Sequence, residues 1–236
     1  MFTILQVIDL PRFIQIFIVQ GFSGLFFLFM TYKILKREYK GLNLILSLFY
    51  FTAAAGVIIN IIYAFIFNEL IVFILHFITY YLLCISLGFL LIFVLILWKS
   101  EKIITLPAQV LIIIIFGITL FGLLLIPGGI TIDSSTNWKP DWNWPFFIYS
   151  TILCSFVTIL PTIFFALRIY LKLEHQELKK KWKYFLIGIF AYFFLYYGTS
   201  LSNTLADPAF RGIWSIISLP TLIALYFIYY GVAKQL

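Results

Sequence analysis

The chain offers few side chains able to do chemistry, and their spacing limits what each can do. Gly21, Phe22, Ser23 and Gly24 set a glycine-flanked serine inside an apolar stretch, and His76 lies two apolar stretches later. A serine nucleophile needs a base within hydrogen-bond reach and donors for the oxyanion. No second histidine near an asparagine on an intervening stretch offers that oxyanion site, and glycines beside serine equally serve close helix packing. His76 by itself reads as a buried, hydrogen-bonded residue or as one wall of a binding site, and no metal is expected where no carboxylate or thiolate accompanies it. His175, within Glu174-His175-Gln176-Glu177, has the composition of a phospho-acceptor box with no kinase to serve it. Cys84 and Cys154 are too few for a disulfide framework and read as small apolar packers. The chain is therefore expected to be no enzyme and to hold no cofactor.

Residues suited to binding are more numerous. Thr151, Ser155, Thr158 and Thr162 recur at i, i+4, i+7 and i+11, and Tyr192, Tyr196, Thr199 and Asn203 repeat that spacing. Shorter stripes are His76, Thr79 and Ser86; Thr52, Gly56, Asn60 and Tyr63; and Ser215 with Ser218. Facing lipid, each of these groups would cost free energy, so the stripes mark inward faces that serve either helix packing or a cavity.

The elements that must position them are membrane helices. Of the 236 residues 64% are hydrophobic and 11% charged, with a mean hydropathy of +1.09. A soluble domain carries about 25% charged residues, which excludes a soluble enzyme and a disordered tail alike. About 20 apolar residues cross a bilayer, and seven such stretches occur, near 13–33, 42–67, 71–98, 103–126, 146–170, 184–205 and 210–232. The expectation is an all-α, polytopic bundle of seven transmembrane helices. Residues 1–11 lack a basic n-region and end at Pro11, as an interfacial lead-in would and a signal peptide would not.

Thirteen of the sixteen Lys and Arg fall after spans one, three and five or at the C-terminus, with Lys40 and Lys234 among them. Arg12, Lys139 and Arg211 fall on the other side. Cytoplasmic loops retain positive charge, so the N-terminus is expected outside, the C-terminus cytoplasmic, and the protein in the cell membrane. The net charge of +7 is then an orientation signature and not a nucleic-acid patch. Lys179 to Lys183, in an inner loop, are expected against anionic lipid headgroups. No Asp, Glu, Lys or Arg lies deep in a span, which disfavours ion pumping.

Given that orientation, 17 neutral polar residues lie in outer halves of spans and 10 in inner halves, with spans six and seven carrying most of the skew. Packing alone predicts no skew, so an outward cavity is expected among spans three, five, six and seven, with His76, Thr151, Ser155, Tyr196, Thr199, Asn203, Ser215 and Ser218 as its ligand-binding residues. The loop 127–145 carries Trp138, Trp142 and Trp144, which suit either a lid over that cavity or an interfacial aromatic belt. Gly128 and Gly129, followed by alternating Ile130 and Ile132, suit a short hairpin. Pro161 and Pro220 near the middle of spans five and seven are candidate hinges.

The second half also carries a likeness. A tryptophan-containing outer loop leads into Phe146-Phe147-Ile148-Tyr149; a long span ends in Ala166-Leu167-Arg168-Ile169-Tyr170; a charged inner loop runs from Glu174 to Lys183. Trp182-Lys183-Tyr184-Phe185-Leu186-Ile187-Gly188 follows, and the last span ends Tyr226-Phe227-Ile228-Tyr229-Tyr230-Gly231-Val232. This resembles the seven-transmembrane N-terminal sensor region of prokaryotic histidine kinases, over all seven spans in layout and from about Trp138 onward in residues. The resemblance implies a signal-input domain whose last helix passes a cue to a cytoplasmic output. Family members continue into a coiled coil and a catalytic output where this chain stops at Leu236, which implies a fragment or a stand-alone form working through a cytoplasmic partner or as a homo-oligomer. The expected function is a sensor-like receptor for a small or lipidic ligand. The alternative is a carrier or membrane-complex subunit for a small neutral or lipidic solute, against which stand the apolar inner halves of spans six and seven and the lack of an inverted repeat.

Overall fold

The computed structural model describes residues 9–37 and 41–233; Lys40 and Lys234, counted above among the basic residues, and most of the lead-in lie outside them. Helix α1 runs Leu10–Leu35, α2 Gly41–Tyr63, α3 Glu69–Lys99 and α4 Leu106–Phe121. After α4 come strands β1, Ile130–Thr131, and β2, Asp141–Trp142, then α5, Trp144–Lys172, and α6, Gln176–Leu205. The last stretch is a pair, α7 Pro208–Ile217 and α8 Thr221–Val232, bent by 50°. Six of these helices are long and apolar enough to cross a bilayer, and the bent pair makes a seventh if it counts as one span. The chain is a multi-pass helical membrane protein.

Helix starts follow local chemistry. At the end of the bundle that carries the 127–145 loop, α1, α3, α5 and α7 begin on Asp9, Asn68, Asn143 and Asp207, whose side chains accept the amide hydrogens of Arg12, Ile71, Phe146 and Phe210 at 3.0, 3.1, 2.9 and 2.7 Å. Pro11, Pro145 and Pro208 occupy first turns, where no amide hydrogen is needed. Glycines let the helices approach: a Cβ on Gly24 would sit 3.1 Å from Val57, and one on Gly188 2.6 Å from the backbone nitrogen of Ile228. The first closes α1 on α2; the second closes α6 on α8. Helix α4 instead exposes Leu111, Ile115 and Ile118 by 55–65%, as a lipid-facing helix does.

Three differences from the sequence expectation have local causes. The lysines Lys179 to Lys183 form the first turns of α6 and not a loop, because the helix starts at Gln176, eight residues before the apolar stretch. Helix α5 runs unbroken through Pro161: the amide of Leu160 donates to Ser155, five residues back, and this wide turn over Ser155–Ile159 absorbs the register that the proline disturbs. At Pro220 the last span breaks outright. Leu219 bonds back only three residues, to Ile216 at 3.2 Å, and the hydroxyls of Ser218 and Thr221 donate to the carbonyls of Ser215 and Ser218 left over at the bend.

Candidate functional site

The 127–145 loop folds back on the bundle and is pinned there by one tryptophan. Strands β1 and β2 pair antiparallel, Ile130 opposite Trp142 and Thr131 opposite Asp141, which forms the short hairpin expected there. The pairing turns the Trp142 ring inward, where it is 3% exposed and packs on Tyr80 and Phe146 with ring centres 5.0 and 4.9 Å away. Its indole N–H donates to His76 Nε2 at 3.0 Å. Indole nitrogen can only donate, so Nε2 carries no hydrogen, and His76 Nδ1–H donates to the hydroxyl of Tyr63 at 2.8 Å. Trp138 is half-buried against Phe67, and Trp144 is 53% exposed. The three tryptophans thus divide: Trp142 is buried against the helices, and Trp144 is exposed.

Three cations strap this lid to the helices. The Arg12 guanidinium, 8% exposed, donates to the carbonyls of Asn137 and Trp138 at 3.0 and 2.9 Å. Arg211 on α7 donates to Pro140 at 2.6 Å and to Ser202 on α6 at 3.4 Å. Lys139 forms an ion pair with Asp9. Burial alone would raise the Asp9 carboxyl, but the Lys139 hydrogen bond, the Arg12 amide and the two positive charges outweigh it and hold the group below its ordinary value of 3.8. The clasp is therefore complete above pH 3.8 and is lost as pH falls through the lowered value. The unfolding temperature of the wild type should fall more steeply below pH 3.8 than that of Asp9→Asn, and equal slopes would show that the clasp contributes nothing.

Beneath the lid lies a cavity of about 240 Å³. Its mouth is formed by Asp9, Arg12, Lys139 and Arg211, its middle by Gln15, Gln20, Asn60, Thr199 and Asn203, and its floor by Phe27, Leu83, Leu87 and Leu225. From Arg12 to Phe27 the α1 wall rises about 22 Å at 1.5 Å per residue, more than half of a roughly 30 Å hydrocarbon layer. The upper α1 wall is a wide helical stretch, Ile14–Gln20, of the kind often found at functional sites. Below the floor a ring stack closes the bundle: Phe49 lies 5.2 Å from Tyr192 and 4.9 Å from Tyr50, and Phe27 lies 5.6 Å from Tyr50.

The walls come from α1, α2, α3, α6, α7 and α8, so α5, expected among them, is replaced by α1 and α2. Of the eight residues expected to bind a ligand, His76, Tyr196, Thr199 and Asn203 line the cavity. Thr151, Ser155, Ser215 and Ser218 do not. Ser155 bonds the Tyr197 hydroxyl at 2.6 Å, Ser215 donates to Gly212, and Ser218 reaches Gln15 at 3.0 Å. Thr151 is half-buried, its hydroxyl oxygen enclosed and unpartnered among the described residues. Tyr196 donates to the carbonyl of Ser150 at 3.1 Å, so Tyr80 must donate to Tyr196 at 2.9 Å, which joins α3, α5 and α6. The residues missed, Arg12, Lys139 and Arg211, were visible as the three cations on the side where the charge asymmetry disfavours them.

Ser23 and His76 line one cavity without pairing: the Ser23 hydroxyl has no hydrogen-bond partner among the described residues, and both His76 nitrogens are engaged. Among the described residues no group of three His, Cys, Asp or Glu is placed to hold a metal. The thiol of Cys154 lies 3.6 Å from Cys84 Sγ, both buried between α5 and α3. Comparison with protein families, curated proteins and solved structures finds no match to the chain.

Proposed function

We propose that this is a seven-span, non-catalytic sensor-like protein of the cell membrane that binds a small or lipidic ligand in the cavity and signals through a cytoplasmic partner. The N-terminus and the lid lie outside in this reading, and the C-terminus is cytoplasmic. The observation that carries it is the cavity's one-sidedness: lined to mid-bundle from the lid end, closed by Phe49, Tyr50 and Tyr192 below. A ligand there touches Trp214 on α7 and Leu225 on α8, on either side of the break at Pro220. Differential affinity for two settings of that break shifts the inner end of α8, which Gly188 holds tightly to α6. Lys179 to Lys183 on α6 then meet anionic headgroups at the inner surface. The likeness to histidine-kinase sensor regions supports the same reading.

A carrier needs a path past the ring stack, and labelling separates the two. In Asn203→Cys and Thr199→Cys variants a membrane-impermeant maleimide should react only from the outer side of sealed vesicles, since Cys84 and Cys154 are themselves buried. Native mass spectrometry of the full chain in mild detergent should show a bound small molecule that Asn203→Leu releases. Labelling of Thr199→Cys from both sides marks a carrier. No labelling from either side, with no bound molecule, overturns the cavity.

A further inference from the structure

The cavity has a polarity that runs from charged to apolar along its axis. At the mouth three cations, Arg12, Lys139 and Arg211, face one acid, Asp9, among the lining residues. Asp141, outside the lining, also lies near Arg211, so the three cations and two acids leave the mouth an excess of one positive charge. At the floor the walls are Phe27, Leu83, Leu87 and Leu225, with Phe27, Leu87 and Leu225 no more than 2% exposed. Two wall groups have no partner among the described residues. Ser23 is 6% exposed with its hydroxyl unsatisfied, and the Asn203 side chain near the mouth makes no hydrogen bond. An unpaired amide near the mouth can donate to the acceptor oxygen of a ligand.

We infer that the occupant is an anionic amphiphile, with a carboxylate or phosphate head at Arg12, Lys139 and Arg211 and a single apolar tail descending to Phe27 and Leu87. The inference rests on the ligand-binding reading above and names the ligand's chemistry. The head neutralises the excess positive charge and reaches the Asn203 amide, and the tail packs against the apolar floor. A free anion lacks the tail, and a neutral lipid lacks the head.

The test uses the full chain in neutral detergent, with bound decyl phosphate counted by native mass spectrometry and decanol and inorganic phosphate as the other two probes. Decyl phosphate should bind at least tenfold more tightly than decanol, and inorganic phosphate should not bind at the same concentration. The discriminating pair is Lys139→Gln and Asp9→Asn, both at the accessible rim. If the two residues merely clasp each other, either substitution breaks the same bond and shifts binding the same way. If the mouth attracts an anion, Lys139→Gln weakens decyl phosphate binding about three- to tenfold and Asp9→Asn tightens it by a similar factor, the scale of one charge in partly wet surroundings. Equal shifts of one sign, or decanol binding as well as decyl phosphate, overturn the anionic head and leave the cavity standing. Inorganic phosphate competing on equal terms overturns the tail. If no amphiphile binds, or filling the floor with Leu83→Trp leaves binding unchanged, the cavity reading itself fails, and this inference with it.

Discussion

Trp142→Ala should destabilise the protein by about 3–5 kcal/mol, the cost of emptying a buried aromatic site. The ring is 3% exposed and is held by Tyr80, Phe146 and His76 at centroid distances of 5.0, 4.9 and 5.8 Å. For a chain of this size the unfolding temperature should drop by about 6–20 °C. Trp142→Phe separates the two parts of the effect. It keeps most of the ring area but leaves His76 Nε2 buried without its donor, at roughly 1–3 kcal/mol. Thermal unfolding in detergent should therefore rank wild type above phenylalanine above alanine. Equal losses for the two variants would mean that the indole hydrogen bond carries everything. Two unaffected midpoints would mean that Trp142 does not seat the lid.

Arg12→Met should release the lid itself. The guanidinium holds the carbonyls of Asn137 and Trp138, two consecutive residues in the left-handed region at φ 52° and 58°. Neither is glycine, so the turn is strained and needs an outside hold. Methionine fills much of the volume and donates nothing, and charge-assisted bonds of this kind contribute about 1.5–3 kcal/mol each. Part of that is offset because a buried cation no longer has to be desolvated. A net loss of about 2–3 kcal/mol is expected, concentrated in the loop. Backbone amide exchange over residues 133–143 should accelerate about 30- to 100-fold, while the exchange of α3 stays near wild type. Uniform acceleration across the bundle would instead make Arg12 a global packing residue.

How much of this was legible beforehand differs between fold and site. Hydropathy marked out apolar helices, six of them long enough to cross a bilayer, and the Asn and Asp caps with their prolines account for sharp helix starts at one end of the bundle. The Ile130 to Ile132 alternation announced the hairpin. Pro161 and Pro220 looked alike in sequence and behave differently: a wide turn five residues upstream absorbs one, and the hydroxyls of Ser218 and Thr221 satisfy a break at the other. Nothing in a residue's own identity selects between those outcomes.

The polar stripes show the same division. Helical periodicity states which residues share a face, and it groups Thr151 with Ser155 and Tyr196 with Asn203. It cannot state what that face meets. Ser155 meets the Tyr197 hydroxyl, while Asn203 meets the cavity. Trp142 and Trp144 stand two residues apart with opposite fates, because one pairs with Ile130 in a strand and the other begins a helix. The sequence by itself determined that this is a membrane protein of apolar helices, with most of its cations at one end and three at the other, since hydropathy and charge are sums over local residues. Only the tertiary structure decided that those three cations gather with Asp9 around one mouth over α1, α2, α3 and α6, because proximity between residues 12, 139 and 211 comes from how the helices pack and from nothing written near any one of them.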